Sequence, residues 1–287
     1  MNASWTRFIA TAVLIFGYLV VDFRVADQAH AIITRHDTGY TRYYAREWDY
    51  PAVFPLGTEG FIHTCVASLI ARDWALTAAH CVQESGMAAA FADDLSFTVT
   101  INRDVMTVAQ YYLHPEWHTG NTTGNSETDL ALIRLQAPVS GVQPLSVYGG
   151  EAELGKQMMF LGWGYSGTGD HPRRSRDGQL RKAHNRVTEV TESWLRFDFE
   201  SPDQSGVLPL EGVPGLGDSG GPALVSVDGI NCLAGVAIGE LGAGSPSSWG
   251  QYGARVIYQR ISRQMDWIRA VVGESLVTSQ SCISSHQ

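Results

Sequence analysis

Apolar residues along this chain come in short clusters that break at Gly, Pro, Asn or Asp. Runs of four to eight residues bounded by turn formers predict strands. They fall at residues 65–70, 75–78, 95–101, 130–135, 158–161, 187–190, 195–199, 222–227 and 232–238. Helical spacing is scarce. Ile261, Met265, Ile268 and Val272 recur at three- and four-residue intervals and predict one terminal helix over residues 261–272. A polar tail, 273–287, follows it. Many short strands with few helices describe an all-β barrel or sandwich.

The first segment has a different pattern. Arg7 is followed by an apolar run over residues 8–21 and then by Ala29-His30-Ala31, a small-x-small cleavage pattern. This predicts an export signal, because the run is short of the roughly 20 residues a spanning helix needs. An uncleaved anchor is the alternative. Pro138, Gly141, Pro144, Gly149 and Gly150 mark a crossover between two halves. The expected organisation is a leader over 1–31, a first β-barrel over 32–140, a second β-barrel with the helix over 141–273, and a tail over 274–287. Residues 164–178, with Arg173, Arg174 and Arg176, read as a solvated mobile loop.

Composition narrows the function classes. With 287 residues, 44% of them hydrophobic, the chain can bury a substantial core. Its net charge of −9 argues against nucleic acid or anionic membrane as a partner, since both call for basic patches. Four cysteines behind an export signal predict disulfides. Cys65 and Cys81 flank the segment leading to His80 and form the expected first pair. Cys232 and Cys282 are left as the second, although sequence cannot fix connectivity. No CxxC or HExxH spacing supports a metal, and no cofactor is expected. Asn121-Thr122-Thr123 fits a glycosylation acceptor but reads as an ordinary polar turn. His36-Asp37 reads as surface.

The chemistry sits in three segments: Thr77-Ala78-Ala79-His80-Cys81, the run from Asp129 to Leu135, and Gly217-Asp218-Ser219-Gly220-Gly221-Pro222. They supply a base, a carboxylate and a nucleophile in the order His, Asp, Ser. A serine hydroxyl needs an imidazole to take its proton as it attacks, and the imidazole needs a carboxylate to fix its tautomer and stabilise the imidazolium. Gly217 allows a turn in which the N–H groups of Gly217 and Ser219 point at one spot, where they would bind an oxyanion.

On these three motifs the chain resembles the trypsin/chymotrypsin-like serine proteases. Leu113-His114-Pro115, Gly162-Trp163-Gly164 and Leu233-Ala234-Gly235-Val236 are weaker echoes, and the resemblance runs over residues 32–272. It implies two six-stranded antiparallel β-barrels with the triad in the crevice between them. It implies that His80 is base and then acid, that Asp129 orients it, and that Ser219 forms the acyl-enzyme. It also implies that a new N-terminal amine pairs with Asp218. Ile32, directly after Ala31, is the candidate, so signal removal would itself be the activating cut. The family's usual Ile-Val-Gly-Gly start is replaced by Ile32-Ile33-Thr34-Arg35.

Other departures bear on selectivity. By the resemblance, Val213 stands at the base of the specificity pocket, where members that cleave after Lys or Arg carry an aspartate. A preference for uncharged residues follows, because a basic side chain would be buried unpaired. Gly239 and Glu240 fall near the pocket wall, with Glu240 read as an exposed loop carboxylate. The family's cysteine four before the nucleophile is Gly215, which predicts a looser rim. The serine that supports the triad aspartate is unmatched near Ala237-Ile238. The expected protein is a monomeric, secreted or periplasmic serine endopeptidase acting on polypeptides, free of membrane once its signal is cut. The alternatives are an esterase with the same triad, a zymogen awaiting another protease, and a catalytically silent homologue that only binds.

Overall fold

The computed structural model describes residues 31–57, 64–118, 128–241 and 249–283. Residues 1–30 of the expected leader and the Asn121-Thr122-Thr123 sequence lie outside those residues. The strands in chain order are β1 (Ile32–Thr34), β2 (Val53–Leu56), β3 (Cys65–Ala71), β4 (Trp74–Thr77), β5 (Thr98–Ile101), β6 (Asp104–Leu113), β7 (Ala131–Leu135), β8 (Ser146–Val147), β9 (Gln157–Gly162), β10 (Ser166–Thr168), β11 (Arg181–Val190), β12 (Trp194–Asp198), β13 (Gly212–Val213), β14 (Pro222–Val227), β15 (Ile230–Leu241) and β16 (Arg255–Arg260).

The first half forms a six-stranded sheet in the order β2-β3-β4-β7-β6-β5. β2 packs back on β5, rolling the sheet into a barrel. β3 and β4 are buried at every position, so their continuous apolar runs fill the interior. The second half runs β14-β9-β11-β12-β16-β15, with an added β14–β15 pairing that closes the ring. The two-residue β8 joins its edge in parallel. Phe160, Phe197 and Tyr258 form an aromatic cluster inside this ring, with centroids 4.7–5.3 Å apart. The expected all-β fold of two barrels with a C-terminal helix is present.

Three local differences have physical causes. The terminal α-helix covers only Met265–Val272, since residues Ser262–Gln264 form a 3₁₀ turn and Gln264 leaves the helical region at φ −107°, ψ 5°. The Ala-rich run gives a helix at Met87–Ala92 that the strand pattern did not suggest. The stretch beyond residue 272 is not a free tail. Val277 donates to Ile70 O of the first barrel, and Cys282 is buried in a disulfide with Cys232.

Residues 164–178 also depart from expectation. They are not a solvated loop, because β10 pairs in parallel with β1, and the Arg174 guanidinium is half-buried among the carbonyls of Thr168, His171 and Trp249.

A buried ion pair pins the crossover to the end of the second barrel. Arg260 meets Glu153 through two bonds of 2.9 Å, and Ser262 Oγ donates to the same carboxylate at 2.7 Å. Glu153 is fully buried, so removing it strands a buried cation. Glu153→Ala should lower stability by about 3–5 kcal/mol in urea unfolding, whereas the apolar pair Glu153→Leu with Arg260→Met should cost far less.

Candidate active site

His80 is the second residue of a short helix, Ala79–Glu84, fed directly by β4. β4 lies antiparallel to β7 with Thr77 opposite Ala131. That register sets Asp129, two residues before β7, alongside His80, three residues after β4. The contact is direct: His80 Nδ1 meets Asp129 Oδ2 at 2.6 Å, and the His80 amide donates to Asp129 Oδ1 at 3.0 Å. The carboxylate therefore fixes both the ring and the turn that carries it. Burial opposes charge on the ring, but the hydrogen bond and charge of Asp129 outweigh it and hold the His80 pKa above its ordinary value.

Asp129 is also held from the second barrel. Its amide donates to Gln259 Oε1 at 3.1 Å, and Gln259 Nε2 donates to Ser193 O at 2.9 Å. Gln259 is fully buried on β16. Sequence reading found the expected serine missing but did not single out this residue. Its one signal was a long polar side chain directly after the apolar run Val256-Ile257-Tyr258.

Ser219 comes from the turn before β14. Gly217 and Gly220 adopt φ of +88° and +77°, a conformation that favours glycine. A Cβ on Gly220 would lie 2.2 Å from Val66 O and 2.3 Å from Thr77 Oγ1. Only glycine lets this turn of the second barrel press against β3 and β4 of the first. The Val66 amide then donates to Ser219 O at 2.7 Å and ties Ser219 to β3, while His80 Nε2 lies 3.7 Å from Cys81 Sγ and, among the described residues, has no hydrogen bond to Ser219. Among the described residues, no acceptor meets the N–H of Gly217 or of Ser219.

Asp218 points away into the protein and is almost wholly buried. Its oxygens accept from the amides of Gly164 at 2.6 Å and Gly215 at 2.9 Å, and the backbone N–H of Ile32 also donates to it. Burial pushes its pKa up to about 6, against the opposing pull of these amides and of Arg181. Gly162 makes the niche, since a Cβ there would lie 2.0 Å from Asp218 Oδ1. Ile32 is fully buried with φ +61°, an outlier for a β-branched residue.

Beside Ser219 a small recess is lined by Gly215, Ala237, Gly239, Glu240, Trp249 and Val256. Val213, expected at its base, is not among these lining residues; it is fully buried on β13, paired with Ile33. Val256 was not singled out from sequence. Glu240 is not the free loop carboxylate that was expected. It is half-buried in the wall, and its Oε2 accepts from the Gly250 amide at 2.7 Å.

Cys65–Cys81 ties β3 to the His80 helix, and Cys232–Cys282 ties β15 to the C-terminal stretch. Among the described residues, the one grouping with metal-ligand geometry is Cys65, His80 and Cys81. Its two sulfurs are joined to each other, so it offers no thiolate.

A family model described as Trypsin matches residues 37–268. Human kallikrein-12 is 30% identical over 227 residues, covering 75% of this chain and 83% of that protein. Human testisin is 27% identical over 237 residues, covering 74% and 71%. The solved structure of neuropsin, described as a serine protease expressed in the limbic system of mouse brain, superposes with a TM-score of 0.60 at 21% identity, covering 80% of this chain and 98% of that one. The chain belongs to the trypsin family of serine endopeptidases.

Proposed function

We propose that the protein is an exported serine endopeptidase that cleaves polypeptides after uncharged residues. The observation that carries this is the 2.6 Å contact of His80 with Asp129, in the crevice where the Ser219 turn presses on the first barrel. In this reading Ser219 attacks the scissile carbonyl while His80 Nε2 takes its proton. Asp129 holds the imidazolium, and the N–H groups of Gly217 and Ser219 receive the oxyanion. His80 then returns the proton to the leaving amine, and water releases the acyl group by the same steps. Export is supported by the leader pattern and by two disulfides.

A fluorophosphonate probe with a peptide library tests the assignment. Labelling at Ser219 with peptide cleavage is expected, and Ser219→Ala should lose both while keeping its fold. A folded wild-type protein that takes no label would make it a silent binding module. Labelling with ester but no amide turnover would make it an esterase.

His80 must be neutral to act as a base. kcat/KM should therefore fall as pH drops through an apparent pKa above 6.5, the ordinary histidine value. Asp129→Asn should move that midpoint down and lower kcat about 10⁴-fold.

Activation by a cut before Ile32 has a physical rationale in this fold. The φ of residue 32 exists only while the Ala31–Ile32 peptide bond does. Cutting that bond removes the clash behind the +61° value, relieving about 1–3 kcal/mol. It also turns the amide at Asp218 into an ammonium. N-terminal sequencing of active enzyme should therefore begin at Ile32, and a start well beyond Ile33 would refute this route. The uncut chain holds Asp218 with a raised pKa, so it takes up a proton on folding. The stability this contributes is full below the usual carboxylate range and is lost as pH rises through about 6. Melting temperatures across that window should fall for an uncleavable precursor and not for the processed form.

A further inference from the structure

One peptide group beside the recess is held at both ends by opposite charges. The carbonyl of Trp249 accepts from Arg174 Nε at 3.1 Å and from a terminal nitrogen of the same guanidinium. The N–H of the next residue, Gly250, donates to Glu240 at 2.7 Å. The peptide dipole thus runs from the carboxylate to the guanidinium, each charge facing the pole it stabilises. Glu240 and Trp249 both line the recess beside Ser219. The peptide itself is seated on β1, because Gly250 has φ +69° and a Cβ there would lie 2.5 Å from Ile33. Arg174 is also bonded to Thr168 O and His171 O, with the exposed carboxylate of Asp170 nearby.

Glu240 is the one carboxylate that the described residues place in the wall of this recess. Left alone, it would be the counter-charge a substrate lysine or arginine needs. We propose that Arg174 is a specificity-determining residue: it occupies Glu240 through the Trp249–Gly250 peptide and so keeps the recess selective for uncharged side chains. This inference rests on the protease reading of the site.

The test is a peptide panel varied at the residue before the cut, with fluorophosphonate labelling of every variant. Arg174→Gln keeps an N–H donor for Trp249 O and removes the charge. It should raise kcat/KM for Lys and Arg substrates, relative to Ala, by about tenfold or more, the scale of one charged hydrogen bond. Arg174→Gln with Glu240→Gln should lose that gain. Arg174→Lys, which keeps the charge, should retain the wild-type profile. If Arg174→Gln does not fold, Glu240→Gln carries the test. It leaves Arg174 with only the exposed Asp170 carboxylate nearby and should shift the profile toward Asp and Glu. Normal labelling with an unchanged profile in Arg174→Gln or in Glu240→Gln overturns the role of Arg174 alone. Absence of labelling in the folded wild-type protein overturns the protease reading, and the role with it.

Discussion

A single buried carboxylate organises the working half of this protein. Asp218 collects backbone donors from three segments far apart in sequence: the Gly162–Gly164 turn, the loop at Gly215, and the β1 start at Ile32. An almost wholly buried carboxylate without such donors would be costly, so the fold is stable only when all three close around it. Because Asp218 precedes Ser219, closing that niche also sets the turn that carries Ser219. The wall of the recess is tied to the same event, since Gly250, next to Trp249, rests on Ile33.

The two barrels meet through contacts that tolerate few substitutions. On one side Gly220 admits the backbone of β3 and the hydroxyl of Thr77 at distances no side chain could share. On the other, Gln259 reaches from β16 to the Asp129 amide while its other end is fixed on Ser193. A hydrogen bond from the second barrel thereby positions a residue of the first. The interface thus holds the His80–Asp129 contact as much as it holds the two barrels.

The pattern of the chain made much of this legible. Alternating short strands gave the two-barrel class, and the three motifs pointed to the family and to the 2.6 Å contact of His80 with Asp129. What stayed hidden depends on long-range geometry. Gln259 and Val256 are ordinary strand residues until β16 is placed against β12 and β15. The arginines around 174 looked like a solvated cluster because charge density alone cannot reveal that buried carbonyls will receive one of them. Glu240 likewise looked exposed until Gly250 was folded back on it. The short helix was overestimated because Ile261 has helical spacing, although Ser262–Gln264 form a 3₁₀ turn before Met265.

The cystines bear on where such a molecule can be assembled. One bridge anchors the helix that presents the imidazole; the other fastens the chain's last turn to the strand bordering the substrate recess. Both cross-links lock segments that local hydrogen bonding alone would leave free to shift. In a glutathione-rich cytosol the same polypeptide would keep its barrels yet lack the fasteners at both rims of its cleft.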